Sequence, residues 1–434
     1  MGFEFPPALV PAPRPHVFRE QDYLIGVRGF LVVQSFLWVF LTTFVPATVA
    51  NAANSDGPLY QTIIRKTFSV LFWNDALIYS AFIFLSARTV CLPFLKDTSR
   101  QTIASSIFRR GLRMWFPTAV AFAIATLIFS QSGVAYMDDF KTRTGNVSIA
   151  TPRQIPSFLN WFNSMFEVFW VTKNTNLQAA NTAFPSQTLW MITTIYEQSF
   201  TIYMTMVTIP YTRRSWRVKA FAAFIITAWW VQSWAWYSIA GLLMADAVVN
   251  MSFREKARRG IKVTRSFTFP TWPIYGFLIL AGYVMEYLWV AWRPDLRSAE
   301  LKGHTGLYNA GSLNAGFDVN GPQARDDNFL IIIGFFLCVE HFEILQRIFR
   351  TSVFQYLGKR SFSFFLIQSI IIYTAGIKLF AEMHFAHNIA FAVSTFLCLV
   401  VCVPLVALTT EVFYRLVDYP STVLAHLVFD WIRT

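Results

Sequence analysis

Charged residues are scarce in this sequence. Asp, Glu, Lys and Arg make up only 14% of its 434 residues, and 55% of the chain is hydrophobic. A soluble domain carries about 25% charged residues and does not need so much apolar surface, so the composition excludes an ordinary soluble globular protein. In lipid, backbone amides can bond only to each other, within helices or closed barrels. We therefore predict an all-α fold, a polytopic bundle of transmembrane helices.

Cysteine is equally sparse. The four cysteines lie in or beside apolar stretches and lack the further Cys or His neighbours that would complete a set of zinc ligands. They do not form the framework of a small disulfide-rich domain, so we expect them to pack as apolar side chains, and we expect no metal. The sequence also begins without the basic segment and apolar core of a cleavable signal peptide. We interpret residues 1–22 as a Pro-rich cytosolic tail.

Long apolar runs fill most of the remaining chain. A transmembrane helix needs about 20 mostly apolar residues, and we count about ten candidates. They lie within residues 23–420, which we take as the membrane domain, and residues 421–434 would form a cytosolic C-terminal tail. The candidates are 28–48, 70–90, 114–131, 188–210, 219–234, 237–251, 271–292, 328–345, 361–380 and 388–410.

The net charge of +12 follows a topological pattern. Three long connections, 49–69, 132–187 and 293–327, share one side of the predicted bundle, whereas 23 of the 36 Lys and Arg residues fall on the other side. Because Lys and Arg concentrate in cytosolic loops, we predict that both termini are cytosolic, and the charge does not indicate a nucleic-acid partner. The N-x-S sequon at Asn146 is then an expected glycan site on the outer side, which favours a eukaryotic secretory or plasma membrane.

Ionisable residues inside the predicted spans are few, and each is a candidate functional residue because burying it in lipid is costly. Arg28, at the cytosolic end of the first span, is either a side chain that snorkels to the headgroups or an anion-binding group. Glu197 lies in the middle of a span beside Gln198, where snorkelling is difficult, and this favours a functional role. The set is Arg28, Asp75, Glu197, Asp246, Glu286, Glu340, His341 and Glu343.

A group of arginines precedes the third predicted span. Arg110 and Arg113 are three residues apart, so they share one helical face, and Arg109 is adjacent. By themselves these residues indicate topology. Beside a polar cavity they would form a phosphate site, because guanidinium groups match the oxygens of phosphate.

Several short motifs follow one another along the chain. They are Arg28-Gly29, FIFLSA at 82–87, Arg110 and Arg113 before Pro117, Leu189-Trp190 followed by Glu197-Gln198, LGKRSFSFFLIQ at 357–368, and YRLVDYP at 414–420. In this order they resemble the acyltransferase type 3 family, integral-membrane enzymes that transfer acyl groups, often acetyl, from acyl-CoA to hydroxyl groups. The resemblance covers about residues 20–420.

The resemblance implies an acyltransferase that uses acyl-CoA, acetyl-CoA in particular, as co-substrate. The acceptor would be a hydroxyl-bearing small molecule, lipid or glycan. We expect Arg109, Arg110 and Arg113 to hold the phosphates of CoA, and the thioester to reach toward Arg28 and Glu197. The predicted substrate contacts are Asp75, Trp190, Gln198 and Gln368.

The family's usual general base, a histidine about ten residues after the Arg-Gly pair, is absent here. No histidine lies between His16 and His304, and Gln368 occupies the place of the family's late-span histidine. The absence favours an alternative, a catalytically inactive family member that acts as a membrane binding or transport protein. A secondary transporter of another family would be expected to show internal repeats, and none is visible.

Two residues are candidates to replace the missing base, since hydroxyl acylation needs a proton acceptor. Glu197 is the first, because a carboxylate withdrawn from water binds protons more readily. His341 is the second, because the flanking Glu340 and Glu343 would orient its ring and increase its basicity. The same stretch is also compatible with an ordinary helix end.

Overall fold

The computed structural model describes residues 21–262, 264, 267–293, 296 and 321–433. Most of the predicted tail 1–22 and of the predicted loop 293–327 lies outside this range. Within it, almost all regular structure is helical, and one short hairpin of two antiparallel strands is the only sheet.

The helices follow the apolar runs of the sequence and are numbered here in chain order. The first ten are α1 (Tyr23–Phe44), α2 (Leu59–Lys66), α3 (Ser69–Phe72), α4 (Asp75–Val90), α5 (Leu92–Lys96), α6 (Arg100–Ser132), α7 (Ala135–Thr144), α8 (Phe158–Trp170), α9 (Ala179–Ala183) and α10 (Trp190–Met206). The remaining elements are α11 (Arg214–Trp230), α12 (Ala235–Asn250), α13 (Phe253–Arg259), β1 (Ile261–Lys262), β2 (Thr268–Phe269), α14 (Trp272–Tyr287), α15 (Asp326–His341), α16 (Glu343–Phe349), α17 (Ser352–Lys359), α18 (Ser361–Ile371), α19 (Ile377–Phe380), α20 (Phe391–Phe413) and α21 (Tyr419–Arg433).

Among the residues that the structure describes, six helical stretches are long and apolar enough to cross a membrane, and α15 with α16 makes a seventh if this pair, bent by 101°, is one span. The all-α, multi-pass prediction is therefore confirmed, whereas the structure supports six or seven spans and not about ten. Three predicted spans form α10, α11 and α12, which have 17, 17 and 16 residues. Such helices are about 25 Å long, shorter than the roughly 30 Å hydrocarbon core. The six stretches are Tyr23–Phe44, Ser69–Lys96, Arg100–Ser132, Trp272–Trp292, Ser361–Ala386 and Phe391–Arg433.

Helix α4 lies at the centre of the bundle. It packs against α1, α10, α12 and α15. Within the apolar window of Ser69–Lys96, 72% of the residues are buried, against 22% for Phe391–Arg433. Side chains on α4 therefore face other helices, whereas much of α20 is exposed on the outside of the bundle.

Two glycines allow α1 and α17 to approach each other closely. A Cβ added to Gly29 would lie 2.2 Å from the carbonyl oxygen of Phe354, and one added to Gly358 would lie 1.8 Å from the carbonyl oxygen of Ile25. Neither position can accept a side chain unless the backbones move apart. These glycines belong to the Arg28-Gly29 and LGKRS motifs, so two motifs distant in sequence pack directly together.

The carboxylate of Glu340 joins four helices at one end of the bundle. It is fully buried, forms an ion pair with the equally buried Arg88 of α4, and accepts a hydrogen bond from the hydroxyl of Tyr23 on α1. Arg254 of α13 forms a second ion pair with it, at 3.0 Å. Because an unpaired buried charge is strongly destabilising, this cluster fixes the relative positions of α1, α4, α13 and α15.

The last helix replaces the predicted C-terminal tail. The chain continues from α20 through a π-helical turn, Tyr414–Asp418, into α21 without a break. Helix α21 packs along α6, where the rings of Phe429 and Phe108 are 5.9 Å apart and Ala425 is buried. Residues 421–433 thus form a helix that packs on α6 with one apolar face, and their cytosolic location stays a prediction.

Asn146 is not available as a glycan site, contrary to the sequence-based expectation. Its side chain is 2% exposed. The amide nitrogen donates hydrogen bonds to the carbonyl oxygens of Thr42 and Thr43, at 3.0 and 2.8 Å. A glycan would break both bonds and require the side chain to leave the interior. The sequon therefore gives no support to a particular cellular membrane.

We predict that Glu340→Gln destabilises the protein strongly. The substitution leaves Arg88 and Arg254 without their shared counter-charge, and breaking a buried pair in this way costs about 3–5 kcal/mol. Thermal unfolding of the purified protein in detergent will measure the effect. Glu343→Gln is the matched control, because the Glu343 side chain is 59% exposed and its ion pair with Arg258 is at the surface. Equal melting temperatures for the two variants would contradict the role given to Glu340.

We also predict that Gly358→Ala lowers the melting temperature, because its methyl group would overlap the backbone of α1. Gly276→Ala is the control, since an added Cβ at Gly276 meets no atom within 4 Å. It removes a helical glycine and is expected to be neutral or stabilising. A Gly358→Ala variant as stable as the wild type would show that α1 and α17 are not in close contact.

Candidate functional site

Three of the predicted arginines converge at the end of the bundle where α1 begins. Arg28 of α1 interacts electrostatically with Arg110 and Arg113 of α6 and with Asp418, which follows α20. Asp418 is buried, interacts in turn with Arg113 and Arg28, and accepts a 2.8 Å hydrogen bond from Ser363. We call Arg28, Arg110, Arg113 and Asp418 the arginine cluster. It brings three positive charges and one negative charge together.

The central helix α4 holds two of these arginines in place. Arg28 donates a 3.1 Å hydrogen bond to the Thr89 hydroxyl. Arg110 donates to the hydroxyls of Ser86 and Ser199, at 2.9 and 3.0 Å, and so bridges α4 and α10. These acceptors are neutral, so they orient the guanidinium groups without cancelling their charge.

Arg113 has a different environment from the other two. It is exposed, and among the described residues it has no direct hydrogen bond or ion pair. Its three-residue spacing from Arg110 places both on the same side of α6, as the sequence predicts. Arg113 is therefore the arginine of the cluster that is most accessible to a ligand.

Arg109 interacts electrostatically with Arg113, but its hydrogen bonds are made outside the arginine cluster. Its guanidinium lies 2.7 Å from the Nδ1 atom of His426 on α21, and its Nε atom donates to the carbonyl oxygen of Ser105 at 3.0 Å. One residue turns a helix by about 100°, so Arg109 points toward α21 while Arg110 points toward α4. The structure thus brings two of the three predicted phosphate ligands together with Arg28 and places the third against α21.

A second polar centre lies farther along α1. The Gln368 side chain donates a 2.7 Å hydrogen bond to the hydroxyl of Ser35, and both residues are buried. The side-chain oxygen of Gln368 has no hydrogen-bond partner among the described residues. Ser35 lies about one turn before Trp38, where the resembled family carries its first-span histidine. The two groups that meet at this centre, the Gln368 amide and the Ser35 hydroxyl, are neutral.

One face of α1 carries a residue of the arginine cluster, Arg28, and a residue of an open cleft, Thr42. Arg28, Ser35 and Thr42 are seven residues apart, so they share a face, and at 1.5 Å per residue they extend over about 21 Å. Two consecutive residues of the cleft have left-handed backbone angles, with φ of 62° at Ser186 and 50° at Gln187. Strained backbone of this kind is common at functional sites. The cleft is lined by Trp38, Val39, Thr42, Ser148, Ala150, Ser186, Gln187 and Tyr373.

Glu197 does not occupy the buried position that the sequence predicts. It is exposed on α10, on the same face as Met204, whose side chain is 78% exposed. The next two residues, Gln198 and Ser199, are buried in the bundle. The helical phase explains the error, since adjacent residues differ by about 100° around the axis. Glu197 forms no ion pair among the described residues, and its role as a base stays a prediction.

The sequence predicts that Glu340 and Glu343 orient the ring of His341, but in the structure neither carboxylate contacts it. The carboxylates of Glu340 and Glu343 bind arginines on other helices. The imidazole ring packs instead against Tyr275 and Phe342, with ring centres 5.9 and 4.6 Å away. Residues adjacent on a helix point in different directions, which is why both carboxylates miss the ring. The proposed pairing of His341 with a carboxylate is wrong.

The other two predicted substrate contacts, Asp75 and Trp190, lie in different parts of the bundle. Asp75 lies at the start of α4, the end opposite the arginine cluster, and accepts a 2.7 Å hydrogen bond from Asn51. Trp190 is half-buried, and its ring centre lies 5.7 Å from that of Tyr79, which also contacts Trp38. Trp190 is thus near the second polar centre, whereas Asp75 belongs to the far end of the bundle.

Asp418 and Ser35 are the site residues that sequence reasoning missed. Asp418 lies in the YRLVDYP motif, so the motif itself was an available signal. A π-helical turn contains it, and such turns are frequent at functional sites. Ser35 gives no signal, because a single serine in an apolar helix is common and can bond to its own backbone.

The arginine cluster has the chemistry of an anion site. Within the described ranges, no group of three or more His, Cys, Asp or Glu side chains is placed to hold a metal ion. Comparisons of the chain with protein-family models, with curated proteins and with solved structures find no match. Its function therefore has to be inferred from its own residues.

Proposed function

We propose that this protein is an integral-membrane acyltransferase that moves an acyl group, acetyl in the simplest case, from acyl-CoA to a hydroxyl group. The observation that carries the proposal is the excess of positive charge in the arginine cluster, where Arg28 lies near Arg110 and Arg113, and the carboxylate of Asp418 interacts with Arg28 and Arg113. Uncompensated charge beside a membrane is costly, so a polyanionic ligand is the expected partner. The phosphates of CoA meet this requirement, and the motif resemblance to acyltransferases supports the same choice.

The residues of the arginine cluster have different roles in this proposal. Arg110, fixed by Ser86 and Ser199, provides a preorganised contact for one phosphate. Arg113, which is exposed, is the first group that an arriving ligand meets. Asp418 balances part of the charge when the site is empty. If both termini are cytosolic, as the charge pattern predicts, the cluster opens to the compartment that contains acyl-CoA.

The acyl donor would extend along the face of α1 that carries Arg28, Ser35 and Thr42. A pantetheine arm that starts at the cluster and follows this face reaches Ser35 after about 10 Å and Trp38 after about 15 Å. The acceptor would enter from the cleft at the other end. Its hydroxyl oxygen would attack the thioester carbon, the carbon–sulfur bond would break, and the proton would pass from the hydroxyl to the departing thiolate of CoA.

A second candidate function is binding of acyl-CoA without chemistry, as in an inactive family member that acts as a membrane binding or transport protein. The hydrogen bond between Gln368 and Ser35 favours it, because neutral groups stand where a general base is expected. Base catalysis contributes typically about 10²- to 10⁴-fold to a rate. A site without a base can still orient two substrates, so the two functions have to be separated by experiment.

We predict that Arg113→Ala weakens the binding of acetyl-CoA by about tenfold or more, since a hydrogen bond to a charged group contributes about 1.5–3 kcal/mol. Equilibrium binding of radiolabelled acetyl-CoA to the purified protein will measure it. Arg213→Ala is the control, because Arg213 is also an exposed arginine but lies at the start of α11. Acetylpantetheine, which lacks the nucleotide phosphates, should bind both variants equally. Unchanged acetyl-CoA affinity in Arg113→Ala would contradict the phosphate assignment.

We further predict that Gln368→His increases the release of CoA thiol from acetyl-CoA, because it supplies a base beside Ser35. Release is followed with a thiol reagent, with candidate hydroxyl acceptors present. Gln368→Asn, which stays neutral, is the matched control. Glu197→Gln tests the sequence-based alternative, and loss of release in that variant would identify Glu197 as the base despite its exposure. Absence of release from all variants, with acetyl-CoA binding intact, would favour the binding function.

A further inference from the structure

The segment between α12 and α14 carries a dense group of basic residues that the proposed function does not use. It contains α13, β1 and β2, and we call its described residues, 252–262, 264 and 267–271, the basic hairpin. Its Arg254 reaches the buried Glu340, so it lies at the end of the bundle where α1 begins. We propose that the basic hairpin binds the headgroups of anionic phospholipids in the adjacent leaflet. This inference does not depend on acyl-CoA or on the arginine cluster.

The described part of the basic hairpin is held in a defined conformation. Gly260 has a φ of 77°, and a Cβ added there would lie 2.6 Å from the carbonyl oxygen of Phe269. The two strands pair with Ile261 opposite Phe269. The buried hydroxyl of Thr271 donates a 2.9 Å hydrogen bond to the carbonyl oxygen of Ala257 on α13. These contacts present the side chains of α13 and β1 from a fixed backbone.

The basic residues of the hairpin divide into two groups. Arg254 and Arg258 are paired with Glu340 and Glu343, at 3.0 and 2.5 Å, and attach the hairpin to α15 and α16. The others are exposed and form no ion pair among the described residues. They are Lys256, Arg259 and Lys262. The second group is therefore free to interact with an external anion.

Exposed apolar side chains accompany these charges. Ile261, Phe267 and Trp272 are 48%, 54% and 53% exposed. Trp272 is also the first residue of the apolar stretch Trp272–Trp292, which is long enough to cross a membrane. Tryptophan at the end of a span prefers the level of the lipid headgroups. The basic hairpin thus lies at the membrane surface, with apolar groups for the interface and cations for the phosphates.

The combination favours a lipid headgroup over other anionic partners. Lys and Arg clusters next to a transmembrane helix attract anionic lipids, and each charge near the surface strengthens binding by about fivefold. A soluble anion would not need the exposed Phe267 and Trp272. A fixed backbone with three free cations also distinguishes this segment from a loop that merely carries positive charge.

Native mass spectrometry of the full-length protein in neutral detergent tests the proposal, with phosphatidylserine and phosphatidylcholine of identical acyl chains as probes. The wild type should retain phosphatidylserine in preference, and the variant K256Q/R259Q/K262Q should bind it at least about tenfold more weakly. The control R213Q/R214Q/K219Q removes three exposed cations from the start of α11. Its affinity for phosphatidylserine should change by less than about twofold. The single variant K262Q should show an intermediate loss if the triple variant does not fold.

Three results would overturn the proposal. The first is equal retention of both lipids by the wild type. The second is equal loss of phosphatidylserine in the hairpin and α11 variants, which would mean non-specific attraction. The third is displacement of phosphatidylserine by an equal concentration of glycerophosphoserine, which would identify a site for soluble anions. Unchanged melting temperatures will show that a lower affinity is not caused by unfolding.

Discussion

The buried carboxylate of Glu340 determines the geometry of the whole end of the bundle that carries the candidate site. It binds Arg88 near the end of α4 and Tyr23 at the beginning of α1. The hydroxyls of Ser86 and Thr89, which flank Arg88, hold Arg110 and Arg28. The interaction that stabilises the helix contacts therefore also sets the positions of the guanidinium groups. Without it, α1 and α4 would lose the contact that aligns these groups.

Elsewhere the described charges of the interior form direct ion pairs. Arg217 binds both oxygens of Asp246, at 2.7 and 2.8 Å, and Arg325 lies between Glu286 and Asp327. The sequence marks Asp246 and Glu286 as candidate functional residues only because they lie in apolar segments. Their arginine partners give them a structural role. An ionisable residue in a membrane helix is thus a weak sign of function, whereas an exposed arginine without an ion pair among the described residues, as Arg113 is in the arginine cluster, is a stronger one.

The sequence predicts what depends on hydrophobic length and on short spacing. It predicts most of the long apolar helices, and it places Arg110 and Arg113 on one face beside Arg28. Prediction from the sequence fails where the neighbours of a side chain depend on helical phase or on packing between distant segments. Glu197 and Gln198 are adjacent, yet only Gln198 is buried. Asn146 matches a glycan sequon, yet its side-chain amide donates hydrogen bonds to two backbone carbonyl oxygens. Neither fact is visible in a linear pattern, because each depends on which neighbour a residue faces.

Packing explains some residues of this end of the bundle and does not explain others. The residues that packing does not explain are the candidates for binding a ligand. Gly29 and Gly358 are required by the close contact of α1 and α17, whatever the protein does. Arg113 is exposed and makes no direct polar contact among the described residues, so packing does not explain it. It also adds to the repulsion on Arg28. Asp418 offsets part of this repulsion, and an anionic ligand at the arginine cluster would offset more of it.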